Sequence, residues 1–125
     1  MKNKNINRMI RVDELMQRVI SEYLFKIFNN TGFDIGSITV TRVKTNKDLR
    51  EAKVFISIRG HHQERTHMLN ILTKYRIEIQ NQINKEMKLK YTPKLSFLYD
   101  NSIEEGDRVL AILNKLEAEG LISEE

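Results

Sequence analysis

An α+β domain, three strands with helices over one face, is what this sequence predicts, and three observations predict it. Apolar residues recur every three or four positions over residues 4–30 and 68–93, and they alternate every second position over 37–60 and 94–100. The two kinds of stretch follow one another with short polar joints, in the order helix, strand, strand, long helix or helix pair, strand, helix. At 125 residues the chain has the size of one domain. A chain of that length buries roughly two thirds of the surface its unfolded form exposes, enough for a core without staples.

The first helical stretch, 4–30, gathers Val12, Leu15, Met16, Val19, Ile20, Tyr23 and Ile27 on one side. Asn29, Asn30 and Gly32 tolerate the left-handed conformation in which helices stop. Lys4, Arg8, Arg11 and Arg18 fall within about a quarter-turn at the margin of that stripe, because each residue advances about 100°. Over 37–60, Ile38 and Val40 alternate with Thr39 and Thr41, and Val54, Ile56 and Ile58 alternate with Lys53, Phe55, Ser57 and Arg59. The joint at 44–51 is polar and lacks Gly and Pro, so it is longer than a two-residue turn. In 68–93 the stripe is Met68, Leu72, Tyr75, Ile79, Ile83 and Met87, with Lys74, Lys85 and Lys88 opposite.

Thr92 before Pro93 is pushed toward an extended conformation, which ends that helix. The third strand, 94–100, puts Leu95, Phe97 and Tyr99 on one face. Ser102 and Glu105 have capping-box spacing at the start of the last helix, and Glu104, Glu105 and Asp107 suit its positive end. Val109, Leu110, Ile112, Leu113 and Leu116 form its apolar side, and Gly120 is its stop. No internal repeat or low-complexity segment interrupts the chain.

Composition excludes several functions. Without cysteine there is no disulfide, thiolate nucleophile or cysteine zinc site, which fits a reducing cytoplasm. The basic N-terminus lacks the apolar run of a signal sequence, and nowhere do about 18 apolar residues follow one another, so a soluble, cytoplasmic protein with no membrane partner is expected. The net charge of +4 conceals a division: residues 1–94 hold 19 Lys/Arg against 9 Asp/Glu, whereas 95–125 hold 2 against 8. A basic body with an acidic tail points to a polyanion-binding surface.

An enzyme needs a site, and the candidates are thin. His61, His62 and His67 are adjacent or five and six apart, not the three or four that place two ligands on one helical face, so no metal or cofactor is expected. Glu104, Glu105 and Asp107 are explained by a helix start rather than by acid/base work. Ser57 and Ser96 lack a nucleophile elbow, and the five glycines form no phosphate cradle. The positive candidates are Arg8, Arg11 and Arg18 on the first helix, Arg42, Lys44, Lys47 and Lys53 around the hairpin, and Lys74, Arg76, Lys85, Lys88 and Lys90 on the second helical stretch. Phe55 and Tyr91 are candidates to stack on bases. So few exposed aromatics favour backbone and shape recognition over base reading.

The element order, with Arg-x-x-Arg-Val at Arg8, Arg11 and Val12, VKTNKDLREA at 43–52, and Thr-Pro-x-Leu-Ser-Phe-x-x-Asp at 92–100 followed by Ser102 and Gly106, resembles the ribosome-binding factor A family over about residues 6–116. The resemblance implies a single type II KH-like domain, α-β-β-α-(kink)-α-β, at 5–100, followed by a C-terminal helix and acidic tail at 101–125. It implies a monomeric assembly factor that binds the small (30S) ribosomal subunit and its 16S rRNA late in maturation, without catalysis, linked to 5′-end rRNA processing and growth in the cold. A standard KH domain clamps nucleotides with a GxxG loop, but no glycine occurs from His61 to Glu105, so RNA contact must use side chains on helices and strands. The family instead has a kink with an Ala-x-Gly pattern, at positions here held by Tyr75, Arg76 and Ile77, and its Leu-Arg or Ile-Arg pair becomes Ile79-Gln80. Bulky Ile77, off the stripe of a continuous helix, marks a break or re-phasing nearby. The competing expectations are a protein-interaction module whose basic face meets an acidic partner and, more remotely, a nuclease.

Overall fold

The structure is a computed structural model that describes residues 2–120; side chains are described from Asn7 onward, except Ile103 and Glu104. Lys4, Glu104 and the last residues of the acidic tail therefore lie outside the described residues as side chains. In order, the elements are α1 (Lys2–Phe28), a single 3₁₀ turn (Ile35–Ser37), β1 (Ile38–Thr45), β2 (Glu51–Ile58), α2 (Arg65–Lys74), α3 (Arg76–Met87), β3 (Lys94–Tyr99) and α4 (Ser102–Ala118). The sheet order is β1-β2-β3, with β2 antiparallel to β1 and parallel to β3. Helices α1, α2 and α3 cover one face, the arrangement of a type II KH-like domain.

The core lies between that helical layer and the inward side chains of the sheet. Met16, Val19, Ile20, Leu24 and Phe28 from α1, Met68 and Leu72 from α2, and Ile79 and Ile83 from α3 are buried against Val40, Val43, Ala52, Val54, Ile56, Ile58 and Leu95. The stripe on α1 follows steps of four at Met16, Ile20, Leu24 and Phe28, a row that slants around the helix. Leu15, expected on the stripe, is 37% exposed, and Leu24 and Phe28 replace it because the slanting row tracks first β1 and then the α2–α3 junction. Asn30 adopts φ +66° just past the helix end, the expected left-handed stop.

The free edge of β1 is closed by α1. Gln17 Nε2 donates to the Val40 carbonyl at 2.8 Å, and Asp13 Oδ1 accepts from the backbone N–H (3.2 Å) and hydroxyl (2.6 Å) of buried Thr45. Covering an edge strand in this way removes a template for unwanted pairing.

Within β1 the register shifts between Val40 and Arg42, leaving Thr41 as a β-bulge. The bulge resets the alternation, so that Val43 and Thr45 face the helices while Arg42 and Lys44 face outward. Simple period-two reading did not anticipate it. The hairpin loop is longer than a two-residue turn, as expected: Lys44 and Thr45 end β1, Glu51 starts β2, and Leu49 turns the chain at φ +59°.

The long helical pattern of 68–93 resolves into two helices that meet at Tyr75, and helix ends at Met87 rather than close to Pro93. Tyr75 has φ −92° and ψ 7°, a bridge conformation open to any L residue, so the break needs neither alanine nor glycine. Its ring packs edge-on against Phe28, with centroids 5.0 Å apart, which pins the junction to the end of α1. Ile77, just beyond, is 57% exposed, as its off-stripe position required. Gln80 Oε1 accepts from the Leu95 N–H at 3.0 Å and fastens α3 to the start of β3.

The start of α4 corrects the capping-box expectation. Ser102 is already helical, and Asn101 holds the cap position without a side-chain cap bond. The Ser102 N–H donates instead to Asp100 Oδ1 at 2.9 Å, because Asp100 is the acceptor two residues back, the geometry of an Asx turn. Gly120, at φ +73°, follows the helix end as expected.

Candidate nucleic-acid interface

Pairing register places the outward cations of the sheet. Lys44 stands directly opposite Lys53, and Lys53 opposite Ser96, so two ammonium groups and a hydroxyl form a row across the open face. In the next row Arg42 stands opposite Phe55, which neighbours Leu98, and the Arg42 guanidinium lies 4.1 Å from the Phe55 ring centroid. Like charges directly opposite on paired strands repel. Among the described residues none of Arg42, Lys44 and Lys53 has a carboxylate within 4.0 Å, so the repulsion is left for an external anion to relieve.

The hairpin loop and the connection from α3 to β3 lie side by side. The Lys94 N–H donates to the Arg50 carbonyl at 2.8 Å, the Arg50 guanidinium sits 4.5 Å from the Tyr91 ring centroid, and Lys90 Nζ lies 5.4 Å from the same ring. A shallow depression of about 190 Å³ lined by Asn46, Glu51, Lys53, Lys94 and Ser96 opens beside them. Lys88, on the same connection, ends α3 in the left-handed conformation (φ +50°) and is exposed. The Asp13–Thr45 bonds bring the early turns of α1 to this end of the sheet, and with them exposed Arg11 and Arg8.

The structure therefore brings Lys44, Lys47, Lys53, Lys88 and Lys90 to one end of the molecule, the hairpin pole, with Arg8 and Arg11 approaching along α1. It does not bring Lys74 and Arg76 there. Those two flank the Tyr75 break, about 18 Å from Lys88 along the 12 residues of α3, and Arg76 is half-buried. Arg18 is exposed on the helical layer between the two ends, and Lys85 is exposed in the last turn of α3, one turn before Lys88. Sequence reasoning missed Arg50 and Lys94, which join the hairpin pole only because the loop and the connection touch. The one available signal was their nearness in sequence to Lys47 and Lys90.

Both candidate stacking rings already carry a cation on one face. Tyr91 carries two, Arg50 and Lys90, and the pairing favours a site that grips phosphate and sugar over one that reads bases.

At the opposite end, His61 takes φ +53° and its Nε2 lies 2.9 Å from Asp34 Oδ2, with Glu64 Oε2 3.9 Å from Nδ1. The His61 hydrogen bond holds exposed Asp34 below the usual carboxylate range. Among the described residues no three His, Cys, Asp or Glu side chains converge as a metal-ligand set, and no helix is long and apolar enough to cross a membrane.

The chain matches the family model described as ribosome-binding factor A over residues 8–113. It is 40% identical to the ribosome-binding factor A of Bdellovibrio bacteriovorus over 120 residues, 95% of this chain and 88% of that one. Its fold overlays the solution NMR structure of a Thermotoga maritima protein described as a candidate ribosome binding factor A, with a TM-score of 0.69 and 27% identity over 78% of this chain and 91% of that one. Coordinates of the Thermus thermophilus ribosome binding factor A, fitted into an electron-microscopy map of its complex with the 30S subunit, share the fold at a TM-score of 0.55 and 15% identity, over 71% of this chain and 91% of that one.

Proposed function

Since the chain belongs to the ribosome-binding factor A family, we propose that it binds the small ribosomal subunit through 16S rRNA in the cytoplasm and assists late maturation, including 5′-end processing, without catalysis. The observation that carries this reading is the convergence of Lys44, Lys47, Lys53, Lys88 and Lys90 at the hairpin pole, none with a carboxylate within 4.0 Å among the described residues, with Lys44 and Lys53 side by side and facing solvent; Arg50 beside them is paired with Asp48 at 3.8 Å. A backbone-gripping site of this kind needs no GxxG loop. It recognises the shape of folded rRNA, and by binding one conformation more tightly it raises that conformation's share until processing is complete. The Thermus thermophilus relative, for which a 30S complex has been visualised, supports the choice of partner.

Salt tests the reading. If about five phosphates are neutralised on duplex-like rRNA, the logarithm of the association constant for immature small subunits falls against log salt with a slope of about −4 to −5. Lys44→Gln combined with Lys53→Gln should flatten that slope by about 2. A salt-independent affinity, or displacement from the subunit by an acidic protein but not by RNase, would overturn it. Shortening of precursor rRNA by the purified protein with Mg²⁺ would overturn the non-catalytic part.

A further inference from the structure

Helix α4 carries an apolar side that nothing in the described chain covers. Val109, Leu110, Ile112 and Leu113 are 45–58% exposed. Val109, Ile112, Leu113 and Leu116 follow one another at steps of three and four, so they form a single stripe. Helices in proteins owe most of their stability to such a stripe being packed. The open face of the sheet is a poor match for it, because Phe55 and Leu98 stand there alone among Arg42, Lys44, Lys53, Ser57 and Ser96.

Two further observations say what does fit. The stretch 95–125 holds 8 acidic residues against 2 basic, so it is repelled by phosphate and attracted to a basic rim. The helix is also aimed. Asp100 Oδ2 accepts from the Thr41 hydroxyl at 2.5 Å while its Oδ1 accepts from the Ser102 N–H at 2.9 Å, which ties the first turn of α4 to the β1 bulge. An anchored arm has less orientational freedom to lose on docking.

We propose that α4 lays its apolar side into a groove on a basic protein of the small subunit while the hairpin pole holds rRNA. The inference rests on the small-subunit reading above. Docking of an amphipathic helix in a groove uses anchors at i, i+3, i+4 and i+7, which here are Val109, Ile112, Leu113 and Leu116. RNA offers no apolar groove for these side chains, and its backbone repels the acids beside them.

The test compares two targets, purified small subunits and protein-free 16S rRNA. The full chain carrying Val109→Gln and Leu113→Gln keeps its charge and uses a good helix former, and neither position packs on the core. It should bind subunits at least about tenfold more weakly, with the salt slope unchanged, and bind protein-free rRNA as the unaltered chain does. Ala111→Gln, on the other side of α4, should change neither. A photoreactive phenylalanine analogue in place of Leu113 should cross-link to a subunit protein. Unchanged subunit affinity, an equal loss on both targets, or cross-links to rRNA alone would each overturn the docking. If the unaltered chain itself fails to bind subunits, the small-subunit reading falls first and takes this one with it.

Discussion

Helices α1 and α4 are both amphipathic, yet one is the spine of the core and the other touches almost none of it. In α1 the apolar row is matched by β1 and α3, and polar residues on the flank, Asp13 and Gln17, bond to the sheet. In α4 the apolar row is just as regular but nothing in the described chain opposes it, and Asp100 fastens its first turn. Periodicity thus announces that a face wants covering. What covers it, and whether the cover belongs to the same molecule, is decided by the elements that fold alongside.

The contrast is open to direct attack by substitution, beginning with the core. Ile20→Ala removes a fully buried side chain from the centre of the α1 row and should cost about 2–5 kcal/mol in urea unfolding. Asp13→Ala leaves the N–H and hydroxyl of buried Thr45 without their acceptor, and a loss of about 1–3 kcal/mol should appear as a lower Tm. A loss comparable to Ile20→Ala from a change on α4 would erase the distinction between the helices.

The α4 fastening can be read by acid. Hydrogen bonds from the Thr41 hydroxyl, and then from Ser102, hold the Asp100 carboxyl below its ordinary range. A depressed carboxyl stabilises the fold above its unfolded-state value, and that contribution is lost as pH falls through the folded value. Stability should therefore decline below about pH 4, and Thr41→Val should make that decline shallower, because the folded value moves back toward the unfolded one. Equal acid slopes for the two proteins would show that the Thr41 bond does not matter. Smallest of all, Leu113→Ala should shift unfolding by no more than about 0.5 kcal/mol, since the site is 45% exposed.

Much of the fold was legible because its signals are local. The β2 alternation of Val54, Ile56 and Ile58, the Asn30 stop, and the phase change around Ile77 can all be read from spacing, and each stands where spacing put it. The bulge at Thr41 was not legible, because an extra residue in one strand is visible only against its partner. The cap of α4 was misassigned for a related reason: Ser102 and Asp100 compete for the same helix end, and the fold selects Asp100 through Thr41, which is 59 residues away. For the candidate interface, the sequence supplied the cations but not their grouping. Arg50 meets Tyr91 across the hairpin pole, whereas Lys74 and Arg76 are carried to the far end of α3.

Thr41 is, in effect, an insertion in β1. Deleting it would leave Ile38, Thr39 and Val40 followed directly by Arg42, Val43, Lys44 and Thr45, an unbroken alternation with every remaining side chain on the face it now occupies. Between β1 and β2 the loss would be the 3.2 Å bond from the Thr41 hydroxyl to the Phe55 carbonyl. What would go is the hydroxyl that holds Asp100, so a one-residue deletion in a strand would reset the bearing of a helix that begins some sixty positions later. One hydroxyl in a strand bulge thus couples the length of β1 to the bearing of the C-terminal arm.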